Sequence, residues 1–195
     1  MDGLEGVGKT TAARAIAAAW PAHATPEFSS APFGRALADA VRRTPHRISE
    51  DEVGQSLVFL GDFHEVHATH VRPLLAAGEH VVSDRGYLSK YAYQEVVLTD
   101  ALGAHAARDL LDAVFRHLPP PDLTLYLVAP PDVLRRRITV RDGACDDDRL
   151  AFMARAHQAA LDRLARTPAL RVTTIDADRS PEEVLADALD AIRHS

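Results

Sequence analysis

The sequence predicts an α/β fold, a three-layer doubly wound parallel sheet, on three observations. Gly3-Leu4-Glu5-Gly6-Val7-Gly8-Lys9-Thr10-Thr11 matches G-x-x-x-x-G-K-[ST] and runs directly into a helical pattern, the signature of a P-loop. Short apolar runs that read as strands alternate with helical stretches, which implies a parallel sheet covered on both faces. The length of 195 residues suits one sizeable core better than two small ones.

Taken in order, Thr11 to Trp20 is an alanine-rich helix with Ala12, Ile16 and Ala19 at helical spacing, ended by Pro21. Residues 22–32 are turn-like and hold at most a very short strand; Phe33 to Arg43 is a second helix. Ser49-Glu50-Asp51-Glu52 has the capping-box form, and a long helical region follows through Val53, Leu57, Leu60, Val71 and Leu74, with a bend expected near Gly61. Gly78 fits as its C′ residue, and His80-Val81-Val82-Ser83 is a buried strand ending at Asp84.

Helices at 87–98 and 102–117 lead to Pro119-Pro120-Pro121, and Leu123 to Val128 is the clearest strand. Pro130-Pro131-Asp132 starts another helix, residues 141–148 read as an exposed loop, and 149–166 is helical. A strand over 171–175 and a terminal helix capped by Ser180-Pro181-Glu182-Glu183 complete the pattern. A P-loop is normally fed by a buried strand, yet only Met1 and Asp2 precede Gly3; the expectation is a first strand missing or truncated, with the true start upstream.

Composition excludes several classes. Hydrophobic content of 47% with 26% charged residues is ordinary for a globular chain. A net charge of −6 argues against general nucleic-acid or membrane-surface binding, so any phosphate site must be locally basic. The single Cys145 excludes an intramolecular disulfide and a multi-cysteine metal site, which fits a reducing cytoplasm. No leader and no apolar run of about 18 residues is present, so a soluble cytoplasmic protein is expected.

The chemistry concentrates at two places. In the P-loop, backbone N–H groups around Gly6, Val7, Gly8 and Thr11 turn toward phosphates, Lys9 reaches the β/γ-phosphates, and the Thr10 hydroxyl holds Mg²⁺. The helix that follows aims its positive end at the same anion. Asp84 and Arg85 stand where a parallel strand ends, the edge at which open α/β sheets bind ligands. A carboxylate there supports Mg²⁺, and the guanidinium grips a second phosphate bidentately.

With D-R-x-x-x-S-x-x-A-Y-Q at Asp84 to Gln94 and G-L-E-G-x-G-K-T-T at Gly3 to Thr11, the chain resembles the thymidylate kinase family nearly end to end. Leu57-Val58-Phe59, Arg72-Pro73-Leu74, Pro121-Asp122-Leu123-Thr124-Leu125-Tyr126-Leu127 and Ile175-Asp176-Ala177 continue the match in order. The resemblance implies a single P-loop kinase domain over 1–195, with a lid at about 137–149. It implies ATP and Mg²⁺ as cofactors and phosphoryl transfer to a (deoxy)nucleoside 5′-monophosphate, dTMP to dTDP foremost. By motif position, Lys9, Asp84 and Arg85 are catalytic, and Thr10 and Asp84 serve the metal. Glu5 meets the sugar 3′-hydroxyl, Phe59 stacks on the base, Tyr93 lies near C2′, and Ser89 and Arg85 bind the acceptor. The P-loop carries no arginine, and members of that subtype place the catalytic arginine in the lid, which makes Arg141 and Arg149 candidates and puts Arg137 with ATP. The family is commonly dimeric, implying a homodimer with small nucleotides as its other partners.

Departures from the family pattern fall at the acceptor. Pro26 and Phe28 flank Glu27 where R-E-P is expected, Phe63 stands for an arginine facing base and phosphate, Gly86 replaces an aromatic or histidine, and Lys90 takes a position usually small or polar. Each lost arginine removes charge-assisted hydrogen bonds worth about 1.5–3 kcal/mol. A modified pyrimidine nucleotide or another small acceptor is therefore one alternative, and a kinase-fold binding protein without catalysis is another. His64, His67 and His70 rotate round the helix and are not expected to share a metal. Asp146-Asp147-Asp148 is expected to face solvent, and Cys145 to be incidental.

Overall fold

The computed structural model describes residues 1–44 and 48–195. The chain runs β1 (Asp2–Gly3), α1 (Lys9–Ala19), β2 (Ala22–Thr25), α2 (Pro32–Arg43) and α3 (Glu52–Val66). A π-helical stretch (His67–Val71), α4 (Arg72–Ala76), β3 (His80–Ser83), α5 (Tyr87–Leu102) and α6 (Ala104–Phe115) follow. The remainder is β4 (Thr124–Val128), α7 (Pro131–Asp142), α8 (Asp147–Arg166), β5 (Val172–Asp176) and α9 (Pro181–Arg193).

The central strand is β4, apolar along its length because it is covered on both faces. Leu125 and Leu127 pack with Ile16 of α1 and Ala188 of α9, while Tyr126 packs with Leu88 and Ala92 of α5 and Ala160 of α8. Alternate residues thus enter opposite helical layers. Each fully buried aliphatic side chain contributes about 1.5–3 kcal/mol. A further cluster joins α3, α5 and α6 through Leu60, Phe63, Tyr91, Leu111 and Phe115.

β4 pairs in parallel with β1 on one edge and β5 on the other, with Gly3 opposite Leu127 and Leu127 opposite Ile175. β2 and β3 form a second parallel pair. The expected truncated strand is therefore present as two residues. Beside it, Met1 N donates to Ser83 O at the end of β3 at 2.9 Å and Met1 O accepts from Gly86 N at 2.8 Å, while the parallel strands divide into a three-stranded and a two-stranded group. Below it, a cavity of about 250 Å³ lined by Ile16, Trp20, Val82, Leu123 and Leu125 separates β3 from β4.

Several local expectations change. The α3 cap is Asp51, whose carboxylate accepts from Val53 N at 3.1 Å, while Ser49 accepts from Asp51 N. No helix break falls at Gly61; the regular helix instead widens at His67–Val71. Pro73 supplies the reason, since it lacks an N–H and its ring crowds the Thr69 carbonyl four residues back. Helix formation also reaches into the expected 141–148 loop, leaving residues 143–146 between α7 and α8. The acidic run explains this: Asp146 caps α8 by accepting from Arg149 N at 2.8 Å, and Asp147 pairs with Arg135. Both arms of the Ser180–Glu183 capping box form as read.

Candidate active site

Gly3 carries the chain from β1 into the P-loop at φ 129°, a conformation that favours glycine, and a Cβ there would lie 2.4 Å from the Leu127 carbonyl oxygen. The loop delivers Lys9 and Thr10 at the start of α1. Lys9 is buried and its Nζ donates to Leu4 O at 2.7 Å. Burial, with Arg85 adding to it, lowers the Lys9 pKa to about 7.

Across the cleft, Asp84 follows β3 and Arg85 takes φ 61°, left-handed for a non-glycine residue. Such backbone costs of order 1–3 kcal/mol and gathers at functional sites. It sets Arg85 5.0 Å over the Tyr93 ring and its Nε 2.5 Å from Glu27 Oε1. Burial works against the guanidinium charge, yet Glu27 holds the Arg85 pKa above its ordinary value. In return, Arg85 and Lys90 outweigh burial and keep Glu27 below the usual carboxylate range.

Two cavities meet here. One of about 490 Å³ is lined by Gly6, Val7, Gly8, Lys9, Thr10 and Thr11 of the loop region together with Asp84, Arg137 and Arg141. A narrower one of about 80 Å³ is lined by Phe28, Phe59, Ser89, Lys90, Tyr93 and Gln94. Glu5, Glu27 and Arg85 line both and mark the junction.

Glu5, expected at the sugar 3′-hydroxyl, lines both cavities and is held by arginines. Its carboxylate accepts from Arg141 Nη2 and Arg149 Nη2, both at 2.5 Å, and from Arg149 Nε at 3.1 Å, while its backbone N donates to the Tyr93 hydroxyl at 3.0 Å. Asp142 accepts from the same two arginines. The segment between α7 and α8 is thereby tied down onto the P-loop. Arg137 reaches the larger cavity but gives one hydrogen bond to Ala177 O at 2.9 Å. Ser89 lines the smaller cavity, yet its hydroxyl is used on Gly3, accepting from N at 3.0 Å and donating to O at 3.2 Å.

Sequence reading missed Asp2. Its buried carboxylate crosses from β1 to α5, accepting from Ser89 N at 2.7 Å and Leu88 N at 3.4 Å, as an N-cap does. Gly86 is explained by the same contact, because a Cβ there would stand 2.7 Å from Asp2 Oδ2. An acid before a P-loop glycine is a visible signal, but its partner lies 87 positions away in the chain. Reading also left Gln94 unassigned and Lys90 only as a departure; the ammonium of Lys90 sits 5.0 Å from the Phe28 ring and 5.8 Å from those of Phe59 and Phe63.

The donor set suits Mg²⁺. A hydroxyl at Thr10 and a carboxylate at Asp84 line one cavity, and this ion takes one or two carboxylates with phosphate and water oxygens rather than a dense protein cage. Among the described residues no cluster of three histidine, cysteine or acidic side chains is placed to hold a metal. His67 instead packs edge-on against Phe63 at 4.7 Å, and burial lowers its pKa to about 4. No helix among the described residues is long and apolar enough to cross a membrane.

Compared with known proteins, residues 1–188 match the family model for thymidylate kinase. A probable thymidylate kinase of Halobacterium salinarum is 33% identical over 98% of this chain and 93% of its own length. Those of Pyrobaculum aerophilum and Natronomonas pharaonis are 30% and 31% identical, covering 99% and 98% of this chain and 94% and 95% of their own lengths.

Proposed function

The chain belongs to the thymidylate kinase family, and from that premise we propose that it transfers the γ-phosphoryl group of ATP to the 5′-phosphate of dTMP, giving dTDP and ADP. The observation that carries this reading is the junction: a P-loop cavity and an aromatic-lined cavity share Glu5, Glu27 and Arg85. A phosphoryl donor in the first and an acceptor phosphate at Arg85 would face each other there, so the two reactants are held in one encounter.

An oxygen of the dTMP phosphate attacks the γ-phosphorus, and the bond to the β–γ bridging oxygen breaks, releasing ADP. The P-loop N–H groups and the α1 N-terminus bind the donor phosphates. Lys9 exchanges its bond to Leu4 O for a phosphate oxygen, which restores the ammonium that burial weakens. Arg85, charged and oriented by Glu27, grips the acceptor phosphate as a fork. Arg141 and Arg149, drawn to the P-loop by Glu5, meet the charge that develops on the transferring group. Thr10 and Asp84 would hold Mg²⁺, which supplies charge neutralisation on the phosphates when bound.

Closure of residues 137–149 over the larger cavity keeps water from competing as acceptor. The whole of 1–195 is read as one domain, acting in the cytoplasm, with small nucleotides and no nucleic acid as ligands. The exposed Leu57 and Val58 on α3 support a homodimer through the helices. ADP release measured with ATP, Mg²⁺ and a panel of nucleoside monophosphates tests the reading. The best turnover is expected with dTMP; best turnover on a different class of acceptor would replace it.

A further inference from the structure

We propose that Asp62 is a positioning residue for the reaction: through Ser29 it fixes residues 26–31, so that Glu27 keeps Arg85 aimed at the acceptor phosphate. This rests on the proposed role of Arg85 at the junction. Asp62 lies on α3, lines neither cavity and is 0% exposed. A carboxylate so buried persists only where hydrogen bonds replace its water. Among the described residues, its hydrogen-bond partners all belong to Ser29. The backbone N of Ser29 donates to Oδ1 at 3.2 Å and to Oδ2 at 3.1 Å, and the Ser29 hydroxyl donates to Oδ1 at 2.5 Å. Ser29 is itself buried, and α2 is built round the pair: a Cβ at Gly34 would collide with both Ser29 Oγ and Asp62 Oδ1.

Residues 26–31 join β2 to α2 without regular structure, so no strand ladder sets their course. They are pinned at two points instead. At the start, the buried Thr25 hydroxyl donates to Ser83 Oγ at 3.3 Å, on the strand that leads into Asp84 and Arg85. The second pin is the contact of Ser29 with Asp62. Glu27 lies midway between the pins, and its Oε1 meets Arg85 Nε at 2.5 Å. Hydrogen bonds to an ionised acceptor are roughly twice as strong as neutral ones, which accounts for a carboxylate at 62 where an amide has the same shape. Without the second pin, Glu27 is free to shift, and a displacement of about 1 Å in a positioning group can cost about 100-fold in rate. Lys9 and Thr10 are held separately, at the start of α1, so the donor side stays in place.

The test is the KM for dTMP and the KM for ATP, measured on the full chain. Asp62→Ala should raise KM for dTMP by about 10-fold or more and leave KM for ATP within about twofold of wild type. Asp62→Asn, which keeps an oxygen for Ser29, should bring KM for dTMP back to within about threefold of wild type. In an Arg85→Ala background, Asp62→Ala should add less than about twofold, because residues that act through one another are not additive. A role in stability alone lowers the folded fraction and moves neither the split between substrates nor this coupling. A folded Asp62→Ala enzyme with the wild-type KM for dTMP, or with equal rises for both substrates, would overturn the proposal, as would effects that multiply fully with Arg85→Ala. Should the alanine variant not fold, Ser29→Ala takes its place, and an unchanged KM for dTMP overturns the proposal equally. If the wild type turns over no nucleotide, the assigned activity fails, and calorimetry with dTMP decides the positioning role separately. Binding at least about tenfold weaker in the variant supports it; equal affinity, or no binding to the wild type, refutes it.

Discussion

Asp2→Ala should loosen α5, the helix that carries Lys90, Tyr93 and Gln94. The carboxylate is 1% exposed and accepts from Ser89 N at 2.7 Å and Leu88 N at 3.4 Å. Losing a side-chain cap costs about 1–2 kcal/mol, and a buried N–H left without a partner costs about 1–3 kcal/mol. Because both figures describe largely the same bond, about 2–3 kcal/mol in all is the reasoned loss. For a chain of this size that lowers Tm by about 5–10 °C. Asp2→Asn keeps an oxygen acceptor and gives up only the charge facing the helix dipole, about 0.3–1 kcal/mol. Thermal unfolding of the three proteins measures this directly. Steady-state kinetics should show KM for dTMP rising more than KM for ATP in the alanine variant. An alanine variant that melts within about 1 °C of wild type would refute the capping role.

The other predictions follow from the same site. Lys9→Ala should reduce phosphoryl transfer by at least about 10³-fold, read as ADP release under saturating dTMP. Arg85→Ala should raise KM for dTMP by about 10- to 100-fold, the worth of a charge-assisted pair, with a smaller change for ATP. Stability should rise with pH from about 7 to about 9, because burial lowers the pKa of Lys9 to about 7 and of Lys90 to about 8. Both bind a proton more tightly in the unfolded chain, so unfolding takes up protons across that window and higher pH favours the folded state. His67, lowered to about 4, extends the same sign to acid: stability falls as pH drops from about 6.5 toward 4. Urea midpoints at a series of pH values give the slope, and a midpoint falling between pH 7 and 9 would contradict it.

What the sequence made legible was what nearby residues determine. The P-loop, the run from Leu123 to Val128 and the Ser180–Glu183 cap each carry their signal within a few positions; the run forms a strand over Thr124–Val128, and both arms of the cap form. Asp84 and Arg85 were visible because a strand end is a local feature. Ser49 and Asp51 both suit the α3 cap by residue type, and only the geometry distinguishes Asp51. Gly61 is the position where flexibility suggests a bend, yet the helix widens at His67–Val71, where Pro73 makes the steric demand. Pairings between distant segments left no periodic trace. Glu5 with Arg149, Asp2 with Ser89, and Lys90 among three phenylalanines depend on how helices meet. Lys90 and Phe63 were seen singly as departures; their proximity turns two departures into one feature.

The central claim is that the junction at Arg85 brings an ATP γ-phosphate to a dTMP phosphate. Phosphorus NMR of the wild-type protein with ATP, Mg²⁺ and dTMP tests it most directly. The account predicts that signals of dTDP and ADP grow together in equal amounts, and that neither grows with Lys9→Ala. ADP accumulating with inorganic phosphate and no dTDP would contradict it.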